Sequence, residues 1–294
     1  DHGYRADFAP TLEAMGVSDL ISTASSSETT TFDYGHFNSW PTTVDPTSIS
    51  GGAFDWAGEA PEGMDFPEYG NYNLSPAQII AGLKEDPMDN LVQINHISSH
   101  FGADGLAIDT GQTPPQSEVD PVKRRLDPTI ENAFDDGFDA LEVWIGTNGR
   151  NAIVSSFLGP NAGDWFNLMN QDLVRIGIAN SDTHDRRFTR VSARTLIASD
   201  TQDPGQLASE AETLAKAVLA GKAIGTNAPF LLLAAAGSFN GVEQQAGLRL
   251  SDRVSMSSDS NGDIVLTATV QTAAWAQIDT LDFYINNQPE LTTP

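Results

Sequence analysis

The chain has no cysteine. Disulfides, thiolate catalysis and cysteine-ligated zinc are therefore excluded, and any metal has to be held by histidine, aspartate or glutamate. Basic residues are also few. Fifteen Lys and Arg stand against 40 Asp and Glu, for a formal net charge of -25 and a pI of about 4.2. Such a chain is repelled at long range by nucleic acid backbones and anionic lipid, which argues against both as partners. The plain reading of the acidity is a solvated surface suited to salt or an extracellular setting, and it is not in itself evidence of metal chemistry. No run approaches the ~20 apolar residues of a membrane span; the longest, Ala228 to Ala236, is interrupted by Pro229. There is no visible signal peptide and no initiator methionine. A chain opening on Asp1-His2 is expected to be a processed or truncated product of a secreted, periplasmic or cell-surface protein.

What is present suffices for a core: 294 residues, 39% of them hydrophobic, fit one large domain and a smaller one. The spacing predicts a short helix within Tyr4 to Leu20 and a short strand over Leu20 to Thr23. A Ser/Thr-rich segment, Ser25 to Thr31, follows. Residues 41 to 72, dense in Pro, Gly, Asp and aromatics, read as a long loop of the lid or binding type. Ser75-Pro76 opens a helix with Ile79, Ile80 and Leu83 on one face. Further strands are expected at Leu91 to Asn95, Phe138 to Trp144, Leu173 to Ala179 and Arg194 to Ala198. Helices are expected at Thr129 to Asp135, Ala162 to Gln171 and Ser209 to Leu219. This alternation over residues 1–227 points to a parallel α/β barrel with ligands at the strand C-termini. Beyond Asn227 the texture changes to strands alone, at Phe230 to Ala235, Arg253 to Ser257, Asp263 to Thr272 and Ile278 to Ile285. Residues 228–294 are read as a small sandwich-like β domain, expected to be incomplete at Pro294.

Only five histidines occur: His2, His36, His96, His100 and His184. His96 and His184 follow predicted strands, and His2 and His36 stand beside Asp1 and Gly35. His184 belongs to Asn180-Ser181-Asp182-Thr183-His184, where a buried strand ends in an Asp-x-His pair that would face one way if the strand continued. Each histidine singly fits a hydrogen-bonded loop residue. Scarce histidines gathered at the loop side of a barrel, with Asp182 and Glu28, fit a cation site. His100 fits either reading.

These motifs, in this order, resemble the PHP (polymerase and histidinol phosphatase) superfamily, and most of all its CehA/McbA-like metallohydrolase branch. They are Asp1-His2, Glu28, Gly35-His36-Phe37-Asn38, Asn95-His96, Glu142-Val143-Trp144 and Asn180 to His184. The resemblance covers roughly residues 1–227. It implies a distorted (βα)7 barrel and a centre of two or three divalent transition metal ions of Zn, Mn or Fe type. It carries over His2, Glu28, His36, His96, Asp182 and His184 as metal ligands, with Glu28 bridging two ions and Asp1 orienting His2. Asp182, His184 and Glu28 are then the catalytic residues. Two departures stand out. The family's N-terminal strand ending in His-x-His has no counterpart here, and Ile145 stands where an Asn is expected after Trp144.

The implied chemistry is hydrolysis of a small-molecule substrate by a metal-activated water, with a phosphate ester as the leading expectation. Arg186 and Arg187, with Arg190, are candidates to clamp the anion or else ordinary surface arginines. Carbamate or carboxylester hydrolysis competes, because Trp40, Phe54, Trp56, Phe66 and Tyr69 could line an apolar pocket; packing that anchors the loop is the other reading. A non-catalytic surface or assembly protein on a degenerate fold is a third reading.

Overall fold

The computed structural model describes residues 2–31, 34–56, 74–97, 135–146, 161–170, 173–183, 193–239, 242–247, 264–276, 278–285 and 288–293. The fold is mixed α/β. A five-stranded sheet runs in the order β1 (Ser27–Thr30), β2 (His36–Trp40), β3 (Leu91–Asn95), β4 (Ala140–Ile145), β5 (Ile176–Asn180). The parallel pairing expected of alternating strands and helices holds for β3, β4 and β5, whereas β1, β2 and β3 are antiparallel. Residues 31–35 are too short for a crossover, so β1 and β2 can only form a hairpin. The Ser/Thr-rich segment is thus strand β1: Ser27 and Thr29 are buried while Glu28 and Thr30 point the other way. The strand expected at Leu20 to Thr23 does not form.

Among the helices, α2 (Pro76–Leu83) starts as its sequence predicts. Ser75 Oγ accepts from the Gln78 N–H, and the Gln78 side chain accepts from the Ser75 N–H. α3 (Ala162–Asn170) lies where expected. A helix the sequence reading missed, α4 (Pro204–Ser209), precedes the last predicted one, which forms as α5 (Ala211–Leu219) after Glu210. The short helix expected within Tyr4 to Leu20 forms as α1 (Ala9–Ala14), with Pro10 in its first turn; it buries none of its residues and so lacks the packing that would extend it. β6 (Arg194–Ile197) pairs with a strand the sequence reading missed, β7 (Ala223–Thr226). Most of the helix expected at Thr129 to Asp135, and the strand at Arg253 to Ser257, lie outside the described residues.

β3 explains how the layers form. It is buried along its whole length, and alternate residues serve opposite faces. Val92 and Ile94 join Phe37, Leu141 and Val143 against Ile79, Ile80 and Leu83 of α2 and Leu168 of α3. Leu91 joins Ala140, Ile176 and Ile178 on the other face, against Ala215 and Val218 of α5, with Trp40 and Ile197 packed alongside. Gly146 lets the end of β4 come against the start of β6, since an added Cβ would fall 2.1 Å from the Ala193 nitrogen. The described strands form no closed hydrogen-bonded barrel.

After Asn227 only strands are described. β8 (Phe230–Phe239) lies between β9 (Val242–Gly247) and β10 (Val265–Gln271), all antiparallel, and β11 (Leu281–Ile285) forms a hairpin with β12 (Gln288–Thr293). Burial alternates only weakly along β10: Ala268 and Val270 are half-buried, but Ile264, Val265 and Leu266 are all exposed.

The segment before α1 is fastened by a buried ion pair. Arg5 Nη1 donates to Asp86 Oδ2 at 2.6 Å and to the Thr43 carbonyl, while Asp86 also accepts from the N–H groups of Thr43 and Met88. Both side chains are at most 8% exposed. Gly51, at φ +67°, fits against the Arg5 carbonyl, 2.0 Å from where a Cβ would stand. Asp86→Asn keeps the shape but leaves the guanidinium without a counter-charge. Urea unfolding should register a loss of about 3–5 kcal/mol; a loss below about 1 kcal/mol would mean that water reaches the pair.

Candidate metal centre

The face of the sheet turned away from α2 and α3 changes character along its length. One end is apolar, with Leu91, Ala140 and Ile176. The other carries Glu28 and Thr30 of β1, His36 and Asn38 of β2, Asn95 and His96 at the end of β3, and Glu142 of β4. All belong to one edge. It is the C-terminal edge of β1, β3, β4 and β5, and the N-terminal end of the reversed β2. The pairing Thr30↔His36↔Asn95 places the rim residues of three strands side by side.

Glu28 is the hub. Its Oε1 is 2.7 Å from His36 Nδ1, 3.3 Å from the Asn95 amide and 3.9 Å from His96 Nε2; its Oε2 is 3.6 Å from His2 Nδ1. The His36 ring meets those of His2 and His96 edge-on, at centroid distances of 5.6 and 5.3 Å. His2 arrives by a short parallel pairing with Glu28, where the Gly3 N–H donates to the Glu28 carbonyl, and its ring hydrogen-bonds the Thr30 hydroxyl. The Arg5–Asp86 pair lies three residues along the same segment, so the fastening of the fold also holds this histidine. Burial alone would raise the Glu28 pKa. The His36 hydrogen bond, the His2 and His36 charges and the Asn95 amide outweigh it and lower the pKa from 4.5 to about 2.

Glu142 is a site residue that sequence reasoning saw only as part of a motif. Its Oε2 accepts from the His96 backbone N–H at 3.0 Å and lies 3.0 Å from His96 Nδ1. Burial pulls the His96 pKa down, but the Glu142 bond and charge, with the fields of Asp182 and Glu28, raise it overall. Asp182 is thereby placed within electrostatic reach of His96. It follows the end of β5 with φ +46°, so the strand does not continue through it, contrary to the expected extended Asp-x-His presentation. His184, Arg186, Arg187 and Arg190 lie outside the described residues, as do Asp1, His100, Phe66 and Tyr69. Phe54 packs against the core, and Gly82 makes room for its ring, which supports the anchoring reading for that aromatic.

The donor set suits a divalent cation of the Zn, Mn or Fe class: imidazole and carboxylate without thiolate. His2, Glu28 and His36 offer ligand atoms all within 4.8 Å of one another. His96 stands next to this group, its Nε2 3.9 Å from Glu28 Oε1. Asn38 Oδ1, directly across the strand pairing from Glu28, is buried without a donor. A cation or its hydration water would satisfy such an acceptor.

The lowered pKa of Glu28 has a consequence in the metal-free protein. Its folded value lies below its unfolded one, so its contribution to stability is complete above about pH 4.5 and disappears as the pH falls toward about 2. Glu28→Gln should remove that part of the acid limb, on the order of 3 kcal/mol, in melting curves recorded across the interval. An acid limb that superimposes on wild type would rule the pairing out. No family model matches the chain, and neither a curated protein nor a solved structure matches it.

Proposed function

We propose that the chain is a metal-dependent hydrolase of the PHP type, acting on phosphate esters through a centre built on Glu28. The observation that carries this reading is one carboxylate surrounded by His2, His36 and His96 at the edge where the parallel strands end. Open α/β sheets bind ligands at that edge. A distorted barrel is supported by the packing of Trp40 of β2 together with Ile197 of β6, which brings well-separated strands of the chain around one apolar interior.

Ions held by His2, Glu28, His36, His96 and Asp182 would supply charge stabilisation and a water acidic enough to attack at neutral pH. The protein's own part is orientation and proton handling. Asn95 holds Glu28 Oε1, Glu142 holds His96, and Asp182 is the carboxylate that would accept the proton of the attacking water. Arg186 and Arg187 remain the candidates to bind the phosphoryl oxygens, by the chemistry of their side chains.

A second reading, carbamate or carboxylester hydrolysis, is favoured by one observation. A cavity of about 340 Å3 opens from the apolar part of the same sheet face to the end of β5, lined by Trp40, Gln93, Ile178, Asn180, Thr195 and Val218. That volume suits a small, partly apolar group.

Loading the purified protein with Zn or Mn should give at least one tightly held ion per chain by elemental analysis, and turnover of an aryl phosphate or a phosphodiester. His36→Ala should lower that turnover by at least about a hundredfold, since even partners of metal ligands cost 10–100-fold. Hydrolysis of an aryl carbamate with neither phosphorus substrate turned over would transfer the assignment to the second reading. No bound transition metal and no turnover would leave only a non-catalytic surface or assembly role.

A further inference from the structure

We infer that Glu142 is the positioning residue of the centre, fixing the His96 ring so that Nε2 alone is presented to the cation; the inference rests on the metal-centre reading above. Glu142 lies on β4, beside β3, and its side chain is 3% exposed. One oxygen, Oε2, receives the His96 backbone N–H and faces Nδ1, each at 3.0 Å. A carboxylate accepts and does not donate, so the proton of that second contact sits on Nδ1. In the neutral ring Nε2 is then the unprotonated nitrogen. It points to Glu28 Oε1, at 3.9 Å, so that two acceptors face one another. A cation relieves that opposition, whereas the other tautomer would turn an N–H toward the ion.

The backbone contact matters as much as the ring contact. His96 adopts φ +49°, a left-handed conformation that few residues other than glycine take, outside the β3 ladder. Its N–H would be left without a sheet partner there, and Glu142 satisfies it. A single buried oxygen therefore holds both the turn that lifts His96 over the sheet edge and the orientation of its ring. This explains a carboxylate at a position whose neighbours Leu141 and Val143 are core residues.

Five histidines make the test direct. Long-range 15N–1H spectra of the metal-free protein, recorded near pH 9 where imidazoles are neutral, should show His96 as the Nδ1–H tautomer, assigned by its loss in His96→Gln. Glu142→Gln keeps the shape and an accepting oxygen. It should retain the tautomer while weakening Zn affinity about tenfold, and Glu142→Leu should mix the tautomers and weaken Zn about a hundredfold. Equal melting temperatures of Glu142→Gln and wild type would separate this from unfolding. The inference is overturned by a wild-type Nε2–H tautomer, by Zn affinity within twofold of wild type in Glu142→Gln, or by the loss of one whole equivalent of Zn in that variant, which would make Glu142 a ligand. Absence of Zn binding in wild type would count against the hydrolase reading, while the tautomer spectra would still decide the role of Glu142.

Discussion

Burying two carboxylates at one sheet edge is the constraint around which the rest of the molecule is arranged. Glu28 and Glu142 are both withdrawn from water in a chain already at -25. An isolated buried carboxylate costs several kcal/mol, far more than one surface contact returns. No lysine or arginine is described against either. Three histidines, an asparagine amide and a backbone N–H surround them instead. Those groups neutralise the negative charge only when protonated or when they share a cation with it.

The fold can hold such charge because the sheet divides its two faces and then divides one of them again. Helices α2 and α3 cover one face, which is mainly apolar, with the small hydroxyl side chains Ser27, Thr29 and Ser39 buried at its β1–β2 side. The other is apolar only where α5 and Ile197 reach it, and becomes polar toward the strand ends. Gln93 marks the transition. It is buried midway along β3 and donates to Asn95, which donates in turn to Glu28. A line of amides thus leads from the hydrocarbon interior to the carboxylate, and each polar group is partnered by the next.

Much of this was legible from the residues, for reasons that differ by element. α2 could be read because its cap, its proline and its apolar stripe agree, and β3 because a short run with three branched apolar residues and no helical period reads as a strand. Glu28, His36 and His96 could be gathered because histidine is scarce. The β1 strand could not be read, since Ser and Thr serve loops and strands alike and only pairing with β2 decides between them. Nor could the role of Glu142: a glutamate inside an apolar strand gives no hint of its partner until β3 is placed beside it. The helix around Leu12 could be read because Pro10 and Gly16 bracket it, and it stays short because α1 buries none of its residues.

The same limit explains Asp182. Spacing alone treats Asp-x-His as a strand that continues, with both side chains on one face. The backbone instead enters left-handed conformations at His96, φ +49°, and at Asp182, φ +46°, just past the ends of β3 and β5. Strand geometry would send neighbouring side chains to opposite faces of the sheet. A left-handed residue at the tip breaks that alternation and lets a side chain lean over the rim. Two non-adjacent strands use the same device, and the field of Asp182 reaches His96 across the intervening β4. The strain is local and is held by named bonds: Glu142 to the His96 N–H, and the Asn180 carbonyl to the Gly146 N–H beside Asp182. The cluster is therefore a property of how the strands end and pair: His96 and Asp182 stand just past strand ends, while Glu28 comes from within β1 and His2 from a single bridge beside it.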